Sequence, residues 1–316
     1  MLSSEKNKSV NFRFQEDSGR LDLFLHSKLP GFSREKIKKL IRQGFVSVNS
    51  KKVIKPAYKL KHKDSILMAI NINEVEKQLQ PQNIPISVIY EDEDIAVVNK
   101  PAGLLTHPVS LSKMTPALVN GLLYRFNQLS DINGILKPGI VHRLDKDTSG
   151  VLVVAKNNSS HINIAEQFKN RQVLKKYLAV TEGEISEDEG IIERPIARGK
   201  HQRTKMKIDD DRGKNARTYF KVLHRLHSHT FVILYPRTGR THQLRVHMKY
   251  YGHPIIGDSK YGKKSAFISR QALHAYYIEF RHPGRETPLC FTAPLPEDFN
   301  DLLTKLGIEK GFNTEV

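Results

Sequence analysis

The side chains best suited to chemistry are concentrated between residues 139 and 150, directly before the apolar run 151–155. The segment reads GIVHRLDKDTSG and combines two carboxylates, two cations and two hydroxyls. Charged groups are costly to bury unless each has a partner, so their position beside a buried strand predicts a functional site. The alternative is a glycine-terminated turn in which Asp147, Thr148 and Ser149 only bond to backbone groups.

A second segment, 236–248, reads PRTGRTHQLRVHM and predicts a strand, a glycine turn and a helix. Thr241 and Arg245 share one stripe of that helix, so Arg245 is expected to be partly buried while facing a site. His247 is expected to make structural hydrogen bonds. His242 and His247 are five residues apart, not at the spacing of helical zinc ligands, and the sequence predicts no metal site.

The third segment is KKYLAV at 175–180, whose alternation predicts a strand. Tyr177 and Ala179 fall on one face of it. On this pattern alone, Tyr177 is expected to be an ordinary core residue.

Strands separated by hairpin-length gaps dominate the rest of the chain. A hairpin with an acidic turn is predicted over 87–99. Further strands are predicted at 150–155, 175–182, 216–224, 229–235 and 274–281, and helices at 159–170, 240–251 and 296–306. This pattern favours an α+β fold with a largely antiparallel mixed sheet over a doubly wound parallel one.

The 316 residues suffice for a catalytic domain and one small accessory domain. A polar stretch rich in glutamine and proline separates the two. The predicted divisions are a disordered leader at 1–18, a small αβ domain at 19–70, a linker at 71–84, a catalytic domain at 85–306 and a tail at 307–316.

The charge of the chain predicts an anionic partner. Lys and Arg total 51 against 33 Asp and Glu, a formal net charge of +18. Between Arg34 and Asp64, eleven cations accompany only two carboxylates. Such a surface repels itself unless it meets a polyanion, which favours a nucleic-acid partner.

Cysteine usage and hydropathy indicate a soluble cytoplasmic protein. The single cysteine, Cys290, allows neither an intramolecular disulfide nor a multi-cysteine zinc site. Residues 1–17 lack the apolar core of a signal peptide. The longest apolar runs are far too short to cross a bilayer, so no membrane partner is expected.

Residues 19–70 resemble the S4-type RNA-binding domain, through RLD at 20–22, SR at 33–34 and IRQGFVSVN at 41–49. Residues 85–296 resemble the RluA-type family of pseudouridine synthases. That match rests on HRLD at 142–145 with TSG at 148–150, on KYLA at 176–179 and on TGRTHQLRVHM at 238–248. Smaller matches in the expected order are NKPAG at 99–103, GHPIIGD at 252–258, LHA at 273–275 and FTAP at 291–294.

The resemblance implies that the protein isomerises uridine to pseudouridine in RNA without a metal or organic cofactor. Its S4-type domain and overall length resemble the members that modify large-subunit ribosomal RNA. Asp145 is then the essential carboxylate, which attacks the ribose or acts as a base, and Arg245 is its cationic partner. Tyr177 stacks on the uracil, and Arg143 helps to hold the flipped base out of its stack. Further contacts with RNA or with the flipped base are predicted for His142, Arg240, Thr241, His242 and Gln243.

The resemblance extends the RNA surface beyond the catalytic motifs. The basic stretch 198–217, with eight cations and three aspartates, is predicted to be an RNA-facing loop. In the N-terminal domain, RNA contacts are predicted for Arg34, Lys38, Lys39, Arg42, Lys51 and Lys52. The protein is expected to act as a monomer.

Three alternatives stay open on the sequence. The first is a pseudouridine synthase directed at transfer RNA, which would share the same motifs. The second is a non-catalytic RNA-binding factor for ribosome assembly, which the presence of Asp145, Tyr177 and Arg245 disfavours. The third is a glycosidase with paired carboxylates at Asp145 and Asp147, although near neighbours on a short turn can hardly flank a scissile bond.

Overall fold

The N-terminal unit consists of a small antiparallel sheet and two helices. A computed structural model of the chain describes residues 7–29, 34–71, 79–108, 115–134, 136–199, 202 and 204–308. The elements of this unit are β1 (Asn7–Arg13), β2 (Ser18–Arg20), α1 (Leu21–Lys28), α2 (Arg34–Arg42), β3 (Val46–Val48), β4 (Lys51–Lys52), β5 (Lys59–Lys61) and β6 (Ser65–Asn71). The main sheet has the order β1-β6-β3-β4, and β2 pairs with β5.

The prediction of a disordered leader at 1–18 is wrong for its described part. Strand β1 pairs with β6 over its whole length, with Phe12 opposite Ile66. Val10, Phe12 and Phe14 alternate with polar residues, and Phe14 is 1% exposed in the core of the unit. The period-two pattern was present in the sequence but is short and surrounded by charged residues. Residues 1–6 lie outside the described part.

The described part of the larger unit has a nine-stranded mixed sheet and a separate two-stranded sheet. Its elements are β7 (Ser87–Glu91), β8 (Ile95–Lys100), α3 (Leu118–Arg125), β9 (Ser149–Ala155), α4 (Asn158–Lys169), β10 (Leu174–Glu182), β11 (Glu189–Glu193), β12 (Ile196–Arg198), β13 (Met206–Ile208), β14 (Arg217–Leu226), β15 (His229–Pro236), α5 (Gln243–Tyr250), β16 (Leu273–Arg281), β17 (Pro288–Thr292) and α6 (Glu297–Lys305). The order is β11-β14-β15-β10-β16-β9-β8-β7, and β17 pairs with β16. The predicted α+β class is confirmed, as are all the predicted strands and helices; α3, β11, β12, β13 and β17 were not predicted.

The predicted linker and tail are shorter than expected. Leu79 is 5% exposed in the core of the larger unit, and Asn120 of α3 donates to the carbonyl of Gln80. At the other end, Ile308 is 6% exposed and packs on the same unit. These apolar side chains therefore extend the larger unit to at least 79–308, while 72–78 and 309–316 lie outside the described residues.

A single parallel pairing, between β16 and β9, joins the two halves of the sheet. His274 is opposite Ser149, and Ala275 is opposite Gly150. Gly150 has φ +121°, and a Cβ there would lie 2.1 Å from the carbonyl oxygen of Ala275. Only glycine permits this close backbone approach at the start of β9.

His274 fixes the same junction through both ring nitrogens. Its side chain is fully buried. Nε2 donates to the carbonyl of Ala293 at 3.1 Å, so Nδ1 accepts from the Ser149 hydroxyl at 2.9 Å. Burial lowers the pKa of His274 to about 4.

This buried histidine makes stability depend on pH. Between about pH 6.5 and 4 the unfolded chain binds a proton at His274 that the folded chain does not, so the free energy of unfolding falls as the pH drops. We expect the pH slope to be smaller in His274→Gln, by at most about 1.4 kcal/mol per pH unit. Urea unfolding between pH 7 and pH 4 measures this slope.

The matched control is His224→Gln, which replaces an exposed histidine of β14. It should leave the slope unchanged. Equal slopes for His274→Gln and the wild type would contradict a neutral, buried His274.

Candidate active site

The segment that carries Asp145 is held rigidly on both sides. The hydroxyl of Thr106 donates to the carbonyl of Leu144 at 2.9 Å. The Leu144 amide in turn donates to the Thr106 hydroxyl oxygen at 3.3 Å. On the other side, the ammonium of Lys100 donates to the carbonyl of Lys146 at 3.0 Å. The backbone of Asp145 therefore lies between two anchored residues.

Lys100 is a buried cation whose role the sequence did not predict. It is the last residue of the apolar strand β8 and is fully buried. Its three N–H groups are directed at the carbonyls of Pro101, Leu104 and Lys146. Burial lowers the pKa of Lys100 to about 7, although the charges of Asp147 and Asp145 oppose that shift.

The hydroxyls of the loop have structural roles. Ser149 bonds to His274 as described, and Thr148, 2% exposed, accepts from the Gln271 amide at 3.2 Å. Both hydroxyls therefore bond to side chains of a distant segment, not to the backbone groups of the turn that the alternative interpretation predicted. Asp147 does not line the cleft that contains Asp145.

Arg245 connects Asp145 to a second carboxylate. Its Nη1 donates to Asp145 Oδ2 at 2.9 Å. Its Nε and Nη2 donate to both oxygens of Asp258, at 2.7 and 2.8 Å. Arg245 is 7% exposed, as its stripe on helix α5 predicted. This bidentate geometry fixes the guanidinium plane, which leaves one edge directed at Asp145.

Asp258 itself belongs to a tight turn. Its Oδ1 accepts from the amides of Lys260 and Tyr261, at 3.0 and 3.1 Å. Burial alone would raise the pKa of Asp258, but hydrogen bonds and charge from Arg245 hold it below its usual range. The Tyr261 ring lies against the guanidinium, with 5.1 Å between its centroid and the Arg245 Cζ. Sequence reasoning assigned no role to Asp258 or Tyr261; the nearby motif GHPIIGD was its only signal.

Tyr177 reaches the cleft through an irregularity in strand β10. The register against β16 shifts between Lys176 and Tyr177, which places Tyr177 opposite Ala275. Such a bulge redirects a side chain. The ring is partly exposed on the cleft wall. Surrounding protein, and then the charge of Asp145, raise the pKa of Tyr177, so its hydroxyl stays protonated near neutral pH.

The cleft around Asp145 has a volume of about 600 Å³ and is strongly basic. Asp145 is the one carboxylate among its described lining residues. The lining contains seven cations: Arg143, Lys169, Arg171, Lys175, Arg237, Arg240 and Arg245. Because Asp147 is absent from this lining, the described cleft lacks the facing carboxylate pair that a glycosidase needs.

Of the other residues predicted to contact RNA, some have side chains exposed at the cleft and others are bonded or stacked within the protein. Arg143 and Thr241 are exposed at the cleft, while Arg240 is half-buried and donates to the carbonyl of Asn215 at 3.1 Å. His142 lines the cleft, but its ring stacks on Phe168 with 4.8 Å between centroids. Its Nε2 also accepts from the amide of Val153 at 2.9 Å.

Gln243 lines the cleft, but its side-chain amide bonds within the protein. It is 4% exposed. Its oxygen accepts from the Thr238 hydroxyl and the Arg240 amide, and its nitrogen donates to the Arg217 carbonyl and the Thr218 hydroxyl. All hydrogen-bonding positions of this amide are thus occupied, and the residue holds the glycine turn against β14. Its contact with RNA stays a prediction.

His247 is structural, as predicted. It is fully buried and bonds to the Thr218 hydroxyl at 2.9 Å and the Arg194 carbonyl at 3.1 Å. Among the residues that the structure describes, no cluster of His, Cys, Asp or Glu could hold a metal ion. No helix in the described ranges is long and apolar enough to cross a membrane.

The basic stretch 198–217, which was predicted to be a loop, contains regular structure. Strand β13 lies within it and pairs with β12, which ends at Arg198, to form a hairpin. Its apolar side packs on Val246 and Tyr261. Residues 200, 201 and 203 lie outside the described part.

In the N-terminal unit, the described side chains of Lys39, Arg42, Lys51 and Lys52 are exposed, and Lys38 is half-buried. Arg34 pairs with the fully buried carboxylate of Asp22 at 3.2 Å while remaining 44% exposed. Arg34 therefore joins α2 to α1 and still presents part of its surface to solvent.

The pairing of Arg245 leads to a test by substitution. Arg245→Met should destabilise the fold by about 3–5 kcal/mol, because Asp258, 1% exposed, loses its cation. Arg245→Met/Asp258→Asn should regain most of this loss, since the Asn oxygen still accepts from both turn amides and no buried charge remains. Urea unfolding measures both variants.

Enzymatic activity is the second readout. The double variant should be as inactive as the single variant, because Asp145 still lacks its Arg245 partner. A double variant as unstable as the single one would contradict this account of the Arg245 pairing.

Comparison with known proteins identifies the family of the chain. A family model for RNA pseudouridylate synthase matches residues 94–250, and one for the S4 domain matches residues 19–66. The chain is 44% identical over 92% of its length to the uncharacterized RNA pseudouridine synthase YlyB of Bacillus subtilis, covering 95% of that protein. It is 40% identical over 92% of its length to ribosomal large subunit pseudouridine synthase D of Zymomonas mobilis, covering 94% of it.

Among solved structures, the human protein RNA pseudouridylate synthase domain containing 1 superposes with a TM-score of 0.55. The two are 31% identical, over 68% of this chain and 85% of the human one. The sequence resemblance is thereby confirmed for both domains. The chain belongs to the RNA pseudouridylate synthase family, in its RluA type with an N-terminal S4 domain, and is an RNA pseudouridine synthase.

Proposed function

We propose that this enzyme isomerises uridines of large-subunit ribosomal RNA and that Asp145 is the carboxylate on which the reaction depends. The observation that carries the proposal is the cleft itself, in which one carboxylate lies among seven cations. A polyanionic substrate neutralises such a surface. The name of the relative from Zymomonas mobilis specifies the large ribosomal subunit.

Asp145 either attacks C1′ of the ribose or removes a ribose proton, and both routes require an ionised, positioned carboxylate. Oδ2 is bonded by Arg245, which leaves Oδ1 for the substrate. The anchors at Leu144 and Lys146 hold the backbone in place while the sugar and base rearrange. Fixed geometry of this kind lowers the barrier by orienting the reacting groups in advance.

Tyr177 and Arg143 have complementary roles in holding the base. A uridine must leave its stack to reach Asp145. The partly exposed ring of Tyr177 can stack on the extruded uracil, and its protonated hydroxyl can donate but not accept a proton. Arg143, exposed at the cleft, can place its guanidinium plane in the vacated position.

The remaining basic surfaces extend the RNA footprint. The exposed cations of α2 and β4 suit the phosphate backbone, as do those of the β12–β13 hairpin. Asp145, Tyr177 and Arg245 all come from one chain, which supports a monomeric enzyme. A ribosomal substrate would place the reaction in the cytoplasm.

The proposed reaction and its substrate can be tested directly. Pseudouridine formation expels the hydrogen at C5, so RNA with 5-tritiated uridine should release tritium. We expect release from large-subunit ribosomal RNA with wild-type enzyme and none with Asp145→Asn. The matched control Asp147→Asn, on the same turn but outside the cleft, should retain activity.

The outcomes separate the alternatives. Release only from transfer RNA would overturn the ribosomal assignment. Binding of both RNAs with no release would contradict the proposed reaction and favour an assembly factor. Equal release by Asp145→Asn and wild type would remove Asp145 from its proposed role.

Two substitutions separate the role of the Tyr177 ring from the role of its hydroxyl. Tyr177→Phe keeps the stacking surface, whereas Tyr177→Leu removes it. Base–aromatic stacking contributes about 1–3 kcal/mol, so Leu should lower kcat/KM by roughly 5- to 150-fold more than Phe. Single-turnover rates on the same RNA measure the difference. Equal losses in the two variants would show that stacking is not the role of the ring.

A further inference from the structure

His242 lies at a junction that the established reaction does not explain. It immediately precedes helix α5 with φ +54°, in the left-handed region. Its Nε2 is 3.8 Å from Asp145 Oδ2, and its Nδ1 is 2.7 Å from the Tyr261 hydroxyl. The ring therefore lies between the carboxylate of the cleft and a buried phenol.

Hydrogen-bond accounting assigns the ring proton. The Tyr261 oxygen accepts from the Met206 amide at 2.8 Å, and Tyr261 is 5% exposed. Within the described part of the chain, the Tyr261 proton has one acceptor, Nδ1 of His242. A buried hydroxyl without an acceptor is costly, so Tyr261 donates to Nδ1. The proton of a neutral His242 ring is then on Nε2, which faces the cleft.

The Nε2–H group has no partner of its own at hydrogen-bond distance in the described protein. Asp145 Oδ2, at 3.8 Å, is too distant for a normal N–H···O bond and already accepts from Arg245. Burial lowers the pKa of His242, against the opposing effect of Asp145, so the ring is neutral near pH 7. The cleft thus contains a neutral, oriented donor beside its only described carboxylate.

We propose that His242, held in the Nε2–H form by Tyr261 and Met206, donates a hydrogen bond to a carbonyl oxygen of the target uracil. This inference rests on the pseudouridine synthase reaction. When the C1′–N1 bond breaks, its electron pair stays on the uracil and the negative charge spreads to O2 and O4. A fixed donor stabilises that charge as it develops. No proton is transferred in this step.

The same tautomer excludes a different role. A histidine that removes the C5 proton needs an unprotonated nitrogen facing the substrate. Here the unprotonated nitrogen, Nδ1, faces Tyr261. His242 is therefore a substrate-binding donor, and Tyr261 is a positioning residue that acts through it.

The proton assignment can be measured without substrate. In the full-length enzyme with ¹⁵N-labelled histidine rings, long-range proton–nitrogen spectra distinguish the two tautomers. His242→Gln identifies the His242 signals by their loss. We expect the Nε2–H form in the wild type and a mixture of forms in Tyr261→Phe. An Nδ1–H form in the wild type would overturn the proposal.

The kinetic test uses side chains of different reach. Gln places its amide nitrogen near the position of Nε2, whereas Asn is shorter and Leu has no donor. We expect His242→Leu and His242→Asn to lower kcat about 100- to 1000-fold with KM little changed. His242→Gln should stay within about tenfold of wild type. Tyr261→Phe should lower kcat less than His242→Leu.

The control Tyr250→Phe changes an exposed tyrosine of α5 and should behave as wild type. Unchanged kcat in His242→Leu, or equal kcat in the Gln and Asn variants, would contradict the donor role. A wild-type enzyme that is inactive on ribosomal RNA would count against the proposed substrate, while the spectra would still decide the tautomer.

Discussion

The site depends on one buried guanidinium shared between two carboxylates. Arg245 is 7% exposed, so its charge must be paired within the protein. Asp258 supplies a bidentate partner and leaves Nη1 for Asp145. Burial would lower the pKa of Arg245, but the two carboxylates raise it, and it is always charged. The position of Asp145 is consequently set by Arg245 on a helix, 100 residues away in sequence, and through it by a turn still further along the chain.

The mixed sheet brings these distant segments together. Strand β9 starts directly after the Asp145 loop, and its parallel pairing with β16 is restricted to the first residues of β9. Strand β10, on the other edge of β16, then carries Tyr177 opposite Ala275, which also faces Gly150. Three neighbouring strands therefore place the tyrosine beside the aspartate. An all-antiparallel order would have left the start of β9 at a different edge.

Local sequence predicted what depends on local physics. The apolar runs of β8 and β15, the alternation of β10 and the helical period of α5 predicted those elements, and the stripe of Arg245 predicted its orientation. Lys100, Asp258 and Tyr261 escaped because their roles arise from contacts with distant backbone, which no spacing encodes. Gln243 shows the converse, since its place in a site motif predicted an RNA contact although its amide is fully bonded inside the protein. The weak alternation of β1 does not by itself predict a strand, because the strand depends on its pairing with the distant β6.

The cleft collects positive charge that the protein itself leaves largely unbalanced. Seven cations line one cavity, and like charges at such proximity repel one another. Asp145 and Asp258 both pair with Arg245, so no carboxylate among the described lining residues offsets the charge of the other six cations. RNA supplies the missing negative charge, and its binding therefore relieves repulsion that folding alone leaves in place. His242, whose ring is neutral, and the protonated Tyr177 place polar groups in the cleft without adding to that repulsion.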